Sequence, residues 1–213
     1  MHGHVLVEDP GRLGVVQARP MSCEAFLAWT PEGGLAEWVN GEGMQYMPAT
    51  RDHQRIVNLI ITLLNLLLSA RRLGKVFSGP YAVQLATGSV REPDVFVVLA
   101  DNSGSMTERA FVGAPDIVVE VISDDSVYRD RVTKFDEYEA AGVCEYWLID
   151  PRSHRRRADF YARDAHGRFQ TIPLREGAIF RSIALKGFWL RCDWLWEDEL
   201  DLVAIYQIIQ RGD

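Results

Sequence analysis

Two carboxylates lie within strand-like apolar segments of this 213-residue sequence. Asp94 opens the run 94–99, and Glu120 lies inside the β-branched run 117–122. A carboxylate with β-branched neighbours on both sides is costly to bury unless it is paired or bound to a metal ion. Glu120 is therefore a candidate metal ligand. A structural ion pair, or a position on an exposed sheet face, would explain the same pattern.

The spacing of the two acids allows them to meet. They are 26 residues apart, and two strands joined by a loop can bring both to one edge of a sheet. Two convergent carboxylates with backbone oxygens suit a hard cation such as Mg²⁺, which keeps several of its waters. Such an ion can activate water and stabilise charge on a phosphodiester. Hydrolysis also needs a positively charged group to balance the negative charge that develops.

Periodicity indicates the elements that must position these acids. Apolar residues recur at spacings of three and four over residues 56–68, which predicts a long helix with a wide buried face. Residues 124–126 can cap a later helix that ends at Gly142. That helix lies between the strands 117–122 and 145–149, and a strand–helix–strand unit favours parallel pairing. The expected fold is α/β, with a mixed central sheet flanked by helices. Helices are predicted over residues 23–29, 56–68, 127–141 and 200–209, and strands over residues 35–39, 44–47, 75–78, 81–85, 95–99, 117–122, 145–149, 158–162 and 169–173.

Composition excludes several classes of protein. The hydrophobic fraction of 47% and the charged fraction of 25% are typical of a globular protein and exclude a disordered tail, a collagen-like chain and a coiled-coil rod. The length fits a flexible N-terminal arm, residues 1–20, followed by a single domain, residues 21–213. Polar residues interrupt the apolar run 56–70, so no membrane span is expected. The N-terminus lacks the pattern of a secretory signal, and a cytoplasmic location is expected.

Net charge and cysteine spacing limit which partners and which redox compartment are expected. The net charge of −7 is a mild argument against tight, non-specific nucleic-acid binding. It is not decisive, because a cleft can be basic within an acidic protein and carboxylates gathered around a metal ion lower the net charge themselves. Cys23, Cys144 and Cys192 form no CxxC pair, which favours free thiols in a reducing compartment.

Seven short segments carry a family resemblance. They are residues 37–42, 53–56, 90–95, 113–121, 134–138, 142–143 and 145–150. Together they resemble the Uma-type family of restriction-endonuclease-like proteins, within the PD-(D/E)XK nucleases, over about residues 20–195. The combination is specific, whereas either acidic motif alone would not be. The resemblance implies a restriction-endonuclease-like fold and hydrolysis of DNA phosphodiester bonds with Mg²⁺ or Mn²⁺ as the cofactor.

One position departs from the general nuclease pattern. Ile122 stands where a lysine is expected, two residues after the second acid. In relatives of this type a lysine on the following helix stands in, and the matching residue here is Lys134. At about 100° per residue Lys134 lines up with Tyr138 and Ala141, on a face expected to turn toward the sheet. The alternative is a snorkelling lysine whose ammonium lies in water.

The resemblance assigns roles to five residues. Asp94 and Glu120 would hold the metal ion, with the Val121 carbonyl as a further ligand. Lys134 would position the attacking water or stabilise the transition state. Glu37 matches an early acidic residue that would add a contact to the metal site, and a solvated charge on a hairpin is the alternative. Two other functions are compatible with the same fold, namely a catalytically inactive nucleic-acid-binding module and a protein-assembly module.

Other polar residues are weaker candidates. Asp116 is expected to mark the entry to a strand, and His53 the start of a helix. Arg91 and Glu92 are expected to flank the cleft. The basic residues within 152–157 could hold phosphates, since Arg suits bidentate phosphate contacts. A solvated turn is the favoured alternative for that segment.

A homodimer is expected if the chain cuts both strands of a duplex. One site per chain then works most simply with two copies related by a two-fold axis. The candidate surface is the aromatic C-terminal region, because interfaces are enriched in such residues. The alternative is that this region packs on the chain's own core. Its members are Trp189, Leu190, Trp194, Leu195, Trp196, Leu202, Ile205, Tyr206 and Ile209.

Overall fold

The computed structural model describes residues 12–29 and 35–211. Its α-helices are α1 (Cys23–Ala28), α2 (Arg51–Arg71), α3 (Lys134–Ala141) and α4 (Leu202–Arg211). Its strands are β1 (Val15–Pro20), β2 (Ala36–Val39), β3 (Glu42–Tyr46), β4 (Gly74–Phe77), β5 (Ala82–Gln84), β6 (Val90–Arg91), β7 (Val95–Leu99), β8 (Ser105–Met106), β9 (Ala110–Val112), β10 (Ile117–Val121), β11 (Glu145–Asp150), β12 (Arg157–Arg163), β13 (Phe169–Thr171), β14 (Ile179–Arg181) and β15 (Trp189–Arg191). A π-helical turn, Arg129–Thr133, leads into α3, and a 3₁₀ helix, Cys192–Trp196, follows β15.

The central sheet is mixed, as expected from the sequence. Its six strands run in the order β13-β12-β11-β10-β7-β4. β10 and β11 pair in parallel across the connection that contains α3, and the other neighbours pair antiparallel. A second sheet has the order β1-β3-β2-β6-β5-β9-β8, and β14 pairs with β15. The α/β prediction is confirmed.

Alternation along β10 separates the two faces of the central sheet. Val119 belongs to the hydrophobic cluster that α2 forms with one face. Val118 belongs to the cluster on the other face, with Tyr138 of α3. Successive side chains of a strand point to opposite faces, so Glu120 shares the face of Val118. The strand therefore directs this carboxylate toward α3.

Helix α2 packs its apolar stripe against one face of the central sheet. Leucine and isoleucine side chains at helical spacing, including Ile60 and Leu64, are fully buried. Thr50 caps its first turn by accepting the backbone N–H of His53 at 3.3 Å. With a mean hydropathy of 1.3, α2 is the one helix among the described residues that is long and apolar enough to cross a membrane. Its apolar stripe is packed against the central sheet, as in the core helix of a globular domain.

The structure corrects the expected N-terminal arm. Residues 15–20 form β1, which pairs antiparallel with β3, so the boundary placed at residue 20 does not separate them from the sheet. Most side chains of β1 are exposed, because it is the edge strand of its sheet. An edge strand of this kind lacks the alternation of apolar and polar residues from which a strand is predicted. Residues 1–11 lie outside the described residues.

The structure also corrects the proposed dimer surface. Trp189, Trp194, Leu195, Ile205 and Ile209 are buried in the main hydrophobic cluster of the chain itself. Trp189 and Trp194 pack against each other with ring centroids 5.5 Å apart. Most of the aromatic C-terminal region therefore covers the chain's own core, while Trp196, Leu202 and Tyr206 are partly exposed.

Candidate active site

The strand register brings Asp94 and Glu120 to the same place. β7 and β10 pair antiparallel with Val95 opposite Val119. Extending this register by one residue puts Asp94, which directly precedes β7, opposite Glu120. Asp94 Oδ2 accepts the backbone N–H of Val121 at 2.7 Å, which fastens the end of one strand to the other.

Each of the two acids is held through one oxygen only. Asp94 Oδ2 also lies 3.1 Å from His53 Nε2. Glu120 Oε1 accepts hydrogen bonds from Lys134 Nζ at 2.9 Å and from the Tyr138 hydroxyl at 2.7 Å. No described residue donates a hydrogen bond to Asp94 Oδ1 or to Glu120 Oε2. Each carboxylate thus keeps an oxygen for another ligand.

Lys134 is enclosed by carboxylates. It is only 4% exposed, so the snorkelling alternative is wrong. Its ammonium lies 2.9 Å from Glu37, 2.9 Å from Glu120 and 3.5 Å from Asp130. Burial disfavours the charged ammonium, but the attraction of these three acids outweighs it and raises the pKa of Lys134. Lys134 therefore stays positively charged beside the two candidate ligands.

Glu37 reaches the site from β2, where it is buried. A solvated hairpin charge, the alternative for this residue, is therefore wrong. Its Oε1 contacts Lys134, and its Oε2 accepts a hydrogen bond from Arg91 at 2.8 Å. Burial raises the pKa of Glu37, but Lys134, Arg91 and Arg129 together lower it to about 2. Both oxygens contact cations, so Glu37 holds Lys134 in this arrangement.

Negative charge predominates around the two candidate ligands. Burial raises the pKa of Glu120 to about 8, because the attraction of Lys134 does not offset it and the charges of Asp130, Asp94 and Glu37 add to it. Burial is also the main cause of the raised pKa of Asp130. Protonation of these carboxylates is favoured because burial and their mutual repulsion outweigh the attraction of Lys134.

These groups line one cavity of about 270 Å³. Its wall includes Glu37, Asp94, Glu120, Val121, Asp130 and Lys134. No group of three or more His, Cys, Asp or Glu side chains in the described part of the chain is arranged to hold a metal ion by itself. The donor set nevertheless fits a hard cation that keeps much of its water, since free carboxylate oxygens and uncompensated negative charge meet at one cavity.

Two residues of this cavity had little or no sequence signal. His53 was expected only as a helix-start residue, yet its ring touches Asp94 and its Nδ1 is buried without a hydrogen-bond partner. Asp130 was not singled out, although its spacing of four residues from Lys134 places both on one helix face. Tyr138 was aligned with Lys134 by helical phase, and both do contact Glu120.

Several weaker candidates lie elsewhere. Asp116 accepts hydrogen bonds from the Leu99 backbone and the Asn102 side chain at the entry to β10, as expected of a strand-entry residue. In the basic segment 152–157, Arg152 pairs with Asp150 at 2.7 Å. The segment is mostly exposed, in agreement with a solvated turn.

Comparison with known families gives the same assignment. Residues 23–193 match the model of the Uma2 family, which is described as "Putative restriction endonuclease". The chain belongs to the Uma2 family. The match covers most of the chain, including all five residues to which the resemblance assigns a role. No curated protein matches this Uma2 chain.

A solved structure supports the fold. The crystal structure of "a putative nuclease belonging to DUF820" from Anabaena variabilis superposes with a TM-score of 0.66. The alignment covers 83% of this chain and 98% of that chain, at 16% sequence identity. At this identity the comparison concerns the fold alone. The Uma2 chain therefore has the restriction-endonuclease-like fold expected from its sequence.

The shifted pKa values predict how stability depends on pH. Glu120 has an ordinary pKa of 4.5, which the folded protein raises to about 8. Folding therefore favours the protonated form, so the metal-free protein loses stability as the pH rises from about 4.5 to about 8. Glu92, raised to about 8 by burial, acts in the same direction. Thermal unfolding in EDTA should give a melting temperature that falls across this interval.

Two variants test the assignment of this slope. Glu120→Gln should flatten the decline, because it removes one of the titrating groups. Glu24→Gln is the control, since Glu24 is an exposed helix residue far from the cavity, and it should keep the wild-type slope. Identical slopes for wild type and Glu120→Gln would contradict the assignment.

Proposed function

We propose that this Uma2 protein is a metal-dependent endonuclease that hydrolyses DNA phosphodiester bonds with Mg²⁺ or Mn²⁺. The observation that carries the proposal is the pair Asp94 and Glu120, which face one cavity with a free oxygen each and a buried lysine beside them. Membership of a family described as restriction endonucleases supports the reaction class. A fold alone would not, because one fold hosts many functions.

Asp94 and Glu120 would hold the cation, with the Val121 carbonyl as a further ligand. When bound, the ion supplies Lewis-acid chemistry that makes water a stronger nucleophile and stabilises charge on the phosphodiester. His53 and the Val121 backbone keep Asp94 oriented through its other oxygen. Tyr138 does the same for Glu120. These contacts set the direction in which the free oxygens point.

Lys134 would act on the scissile phosphate. Its ammonium is fixed by three carboxylates before substrate arrives, so little reorganisation is needed when negative charge develops on the phosphate oxygens. Glu37 is a positioning residue in this scheme, because it contacts Lys134 and Arg91. A catalytically inactive binding module would have no need of a buried, permanently charged lysine beside two incompletely used carboxylates.

Removal of one candidate ligand charge is the direct test of activity. Wild-type protein should nick or linearise supercoiled plasmid DNA with Mg²⁺ or Mn²⁺ and should be inactive in EDTA. Glu120→Gln should lower the rate by about two orders of magnitude or more, as expected for loss of a group that organises transition-state charge. Asp94→Asn should lower the cleavage rate to a similar extent.

Glu139→Gln is a matched control for that test. Glu139 is also a buried glutamate, but it pairs with Arg168 and accepts the Phe169 backbone N–H outside the cavity. It should retain wild-type cleavage. Cleavage by Glu120→Gln at the wild-type rate, or by wild type in EDTA, would refute the proposal.

Lys134 should affect the rate and not the affinity for metal. Lys134→Met is expected to slow cleavage by about 100-fold or more, because the lost charge acts on the transition state. Mn²⁺ should bind as tightly or more tightly, because a neighbouring positive charge has been removed. Calorimetric Mn²⁺ titration and single-turnover cleavage separate the two effects, with circular dichroism as the check on folding. Lys134→Arg should recover part of the rate, and equal loss of affinity and rate in Lys134→Met would contradict this role.

Double-strand cleavage by this single-site chain would be simplest in a homodimer. The expectation follows from the two-fold symmetry of a duplex substrate. The aromatic C-terminal region does not support it, because most of that region packs on the chain's own core. Light scattering at micromolar concentration should give about twice the chain mass of 24.1 kDa. A mass near 24.1 kDa that does not rise with concentration would rule the dimer out.

A further inference from the structure

Asp130 is a buried acidic residue whose ion pair with Lys134 is shared with two closer acids. It lies in the π-helical turn before α3, lines the cavity of Asp94 and Glu120, and is only 2% exposed. Its Oδ1 has no hydrogen-bond partner and contacts Lys134 Nζ only at 3.5 Å. A buried carboxylate oxygen with so little compensation is costly, and a further positive charge at this point would stabilise it.

The cations nearest to Asp130 are already engaged. Lys134 lies 3.5 Å away, but it is 2.9 Å from both Glu37 and Glu120. The Arg129 guanidinium sits over the Tyr46 ring at 4.0 Å and donates to the Leu13 carbonyl. Asp130 therefore has only a long contact with one ammonium, which two other acids share at shorter distance.

The local backbone holds Asp130 in place. The N–H of Lys134 bonds to the Arg129 carbonyl, five residues back, which inserts one residue into the helix. The Asp130 N–H donates to the Ser126 carbonyl at 2.8 Å, and the Asp130 carbonyl accepts the Tyr146 hydroxyl at 2.9 Å. Single π-helical turns of this kind are frequent at functional sites. These contacts fix the backbone of Asp130 at the wall of the cavity.

We propose that Asp130 supplies a third negative charge that holds the divalent cation in this cavity. The inference rests on the proposed function, and it adds a residue that neither the family match nor the sequence motifs assign. Burial raises the pKa of Asp130, and repulsion from Asp94 adds to the effect against the attraction of Lys134 and Arg129. A bound cation would offset both the burial and the repulsion.

A competing role makes a different prediction. If Asp130 served only to orient Lys134, four residues later in the chain, its loss would slow cleavage and leave metal affinity unchanged. If it helps to hold the cation, its loss must weaken binding of the metal ion in the absence of any substrate. Metal affinity, measured without DNA, therefore separates the two roles.

The experiment is calorimetric titration of the full chain with MnCl₂ near neutral pH. Asp130→Asn, which is nearly isosteric, should weaken Mn²⁺ binding about 10–100-fold, the range for groups that support metal ligands. The rise in melting temperature that Mn²⁺ induces should shrink in parallel. The melting temperature without metal should be unchanged or higher, because an uncompensated buried charge has been removed.

Two further variants keep the test decisive. Asp159→Asn is the matched control, a buried carboxylate that pairs with Arg131 and Arg157 outside the cavity, and it should leave Mn²⁺ affinity unchanged. Asp130→Ser removes the charge with a smaller side chain, and it should weaken binding as Asp130→Asn does even if one of the two fails to fold.

The outcomes distinguish this inference from the proposed function. Wild-type binding and cleavage, with Mn²⁺ affinity of Asp130→Asn and Asp130→Ser within about twofold of wild type, would overturn the role of Asp130 alone, whatever happens to the rate. Wild-type protein that neither binds Mn²⁺ nor cleaves DNA would overturn both. Loss of affinity in the Asp130 variants, with Asp159→Asn unaffected, is the result expected.

Discussion

The buried ammonium of Lys134 is the interaction on which the rest of the cavity depends. Several kcal/mol of desolvation cost attach to each buried ion, so this lysine is tolerable only with close carboxylates around it. Glu37, Glu120 and Asp130 supply them from three different elements: a hairpin strand, a central strand and a helical turn. All three share one ammonium, and burial raises the pKa of Glu120 and of Asp130 despite its attraction. The same arrangement that makes the lysine stable therefore makes the cavity attractive to a further cation.

Packing explains why the lysine comes from a helix and not from the strand. Ile122, at the position where related nucleases carry lysine, is buried in the apolar cluster between the central sheet and α3. A charge at that point would be surrounded by aliphatic and aromatic side chains. Helix α3 packs on the same face of the sheet. Lys134, its first residue, can therefore donate a hydrogen bond to Glu120 on that face. The positive charge beside Glu120 thus comes from helix α3 and not from the strand that carries Glu120.

Periodicity and motif spacing are sufficient to predict the helix and strands that form the core of the central sheet. The helix α2, the strands β7 and β10 and the parallel pairing with β11 all follow from strong apolar patterns. The short edge strands did not, because their exposed side chains carry no alternation, as in β1. The π-helical turn lies within the helix predicted over residues 127–141, because no local sequence pattern marks the inserted residue. Lys134 carries a family resemblance that Asp130 lacks.

The two glutamates that share Lys134 show how environment divides their roles. Each lies 2.9 Å from the same ammonium, and each is buried. Glu37 also faces Arg91 and Arg129, and its pKa falls to about 2. Glu120 faces two further aspartates instead, and its pKa rises to about 8. Glu37 is thus ionised whether or not a metal ion is present, and its charge stabilises the Lys134 ammonium. Of these two glutamates, Glu120 is the one that a bound cation would stabilise, as the proposed metal ligand must be if the protein also folds without its metal.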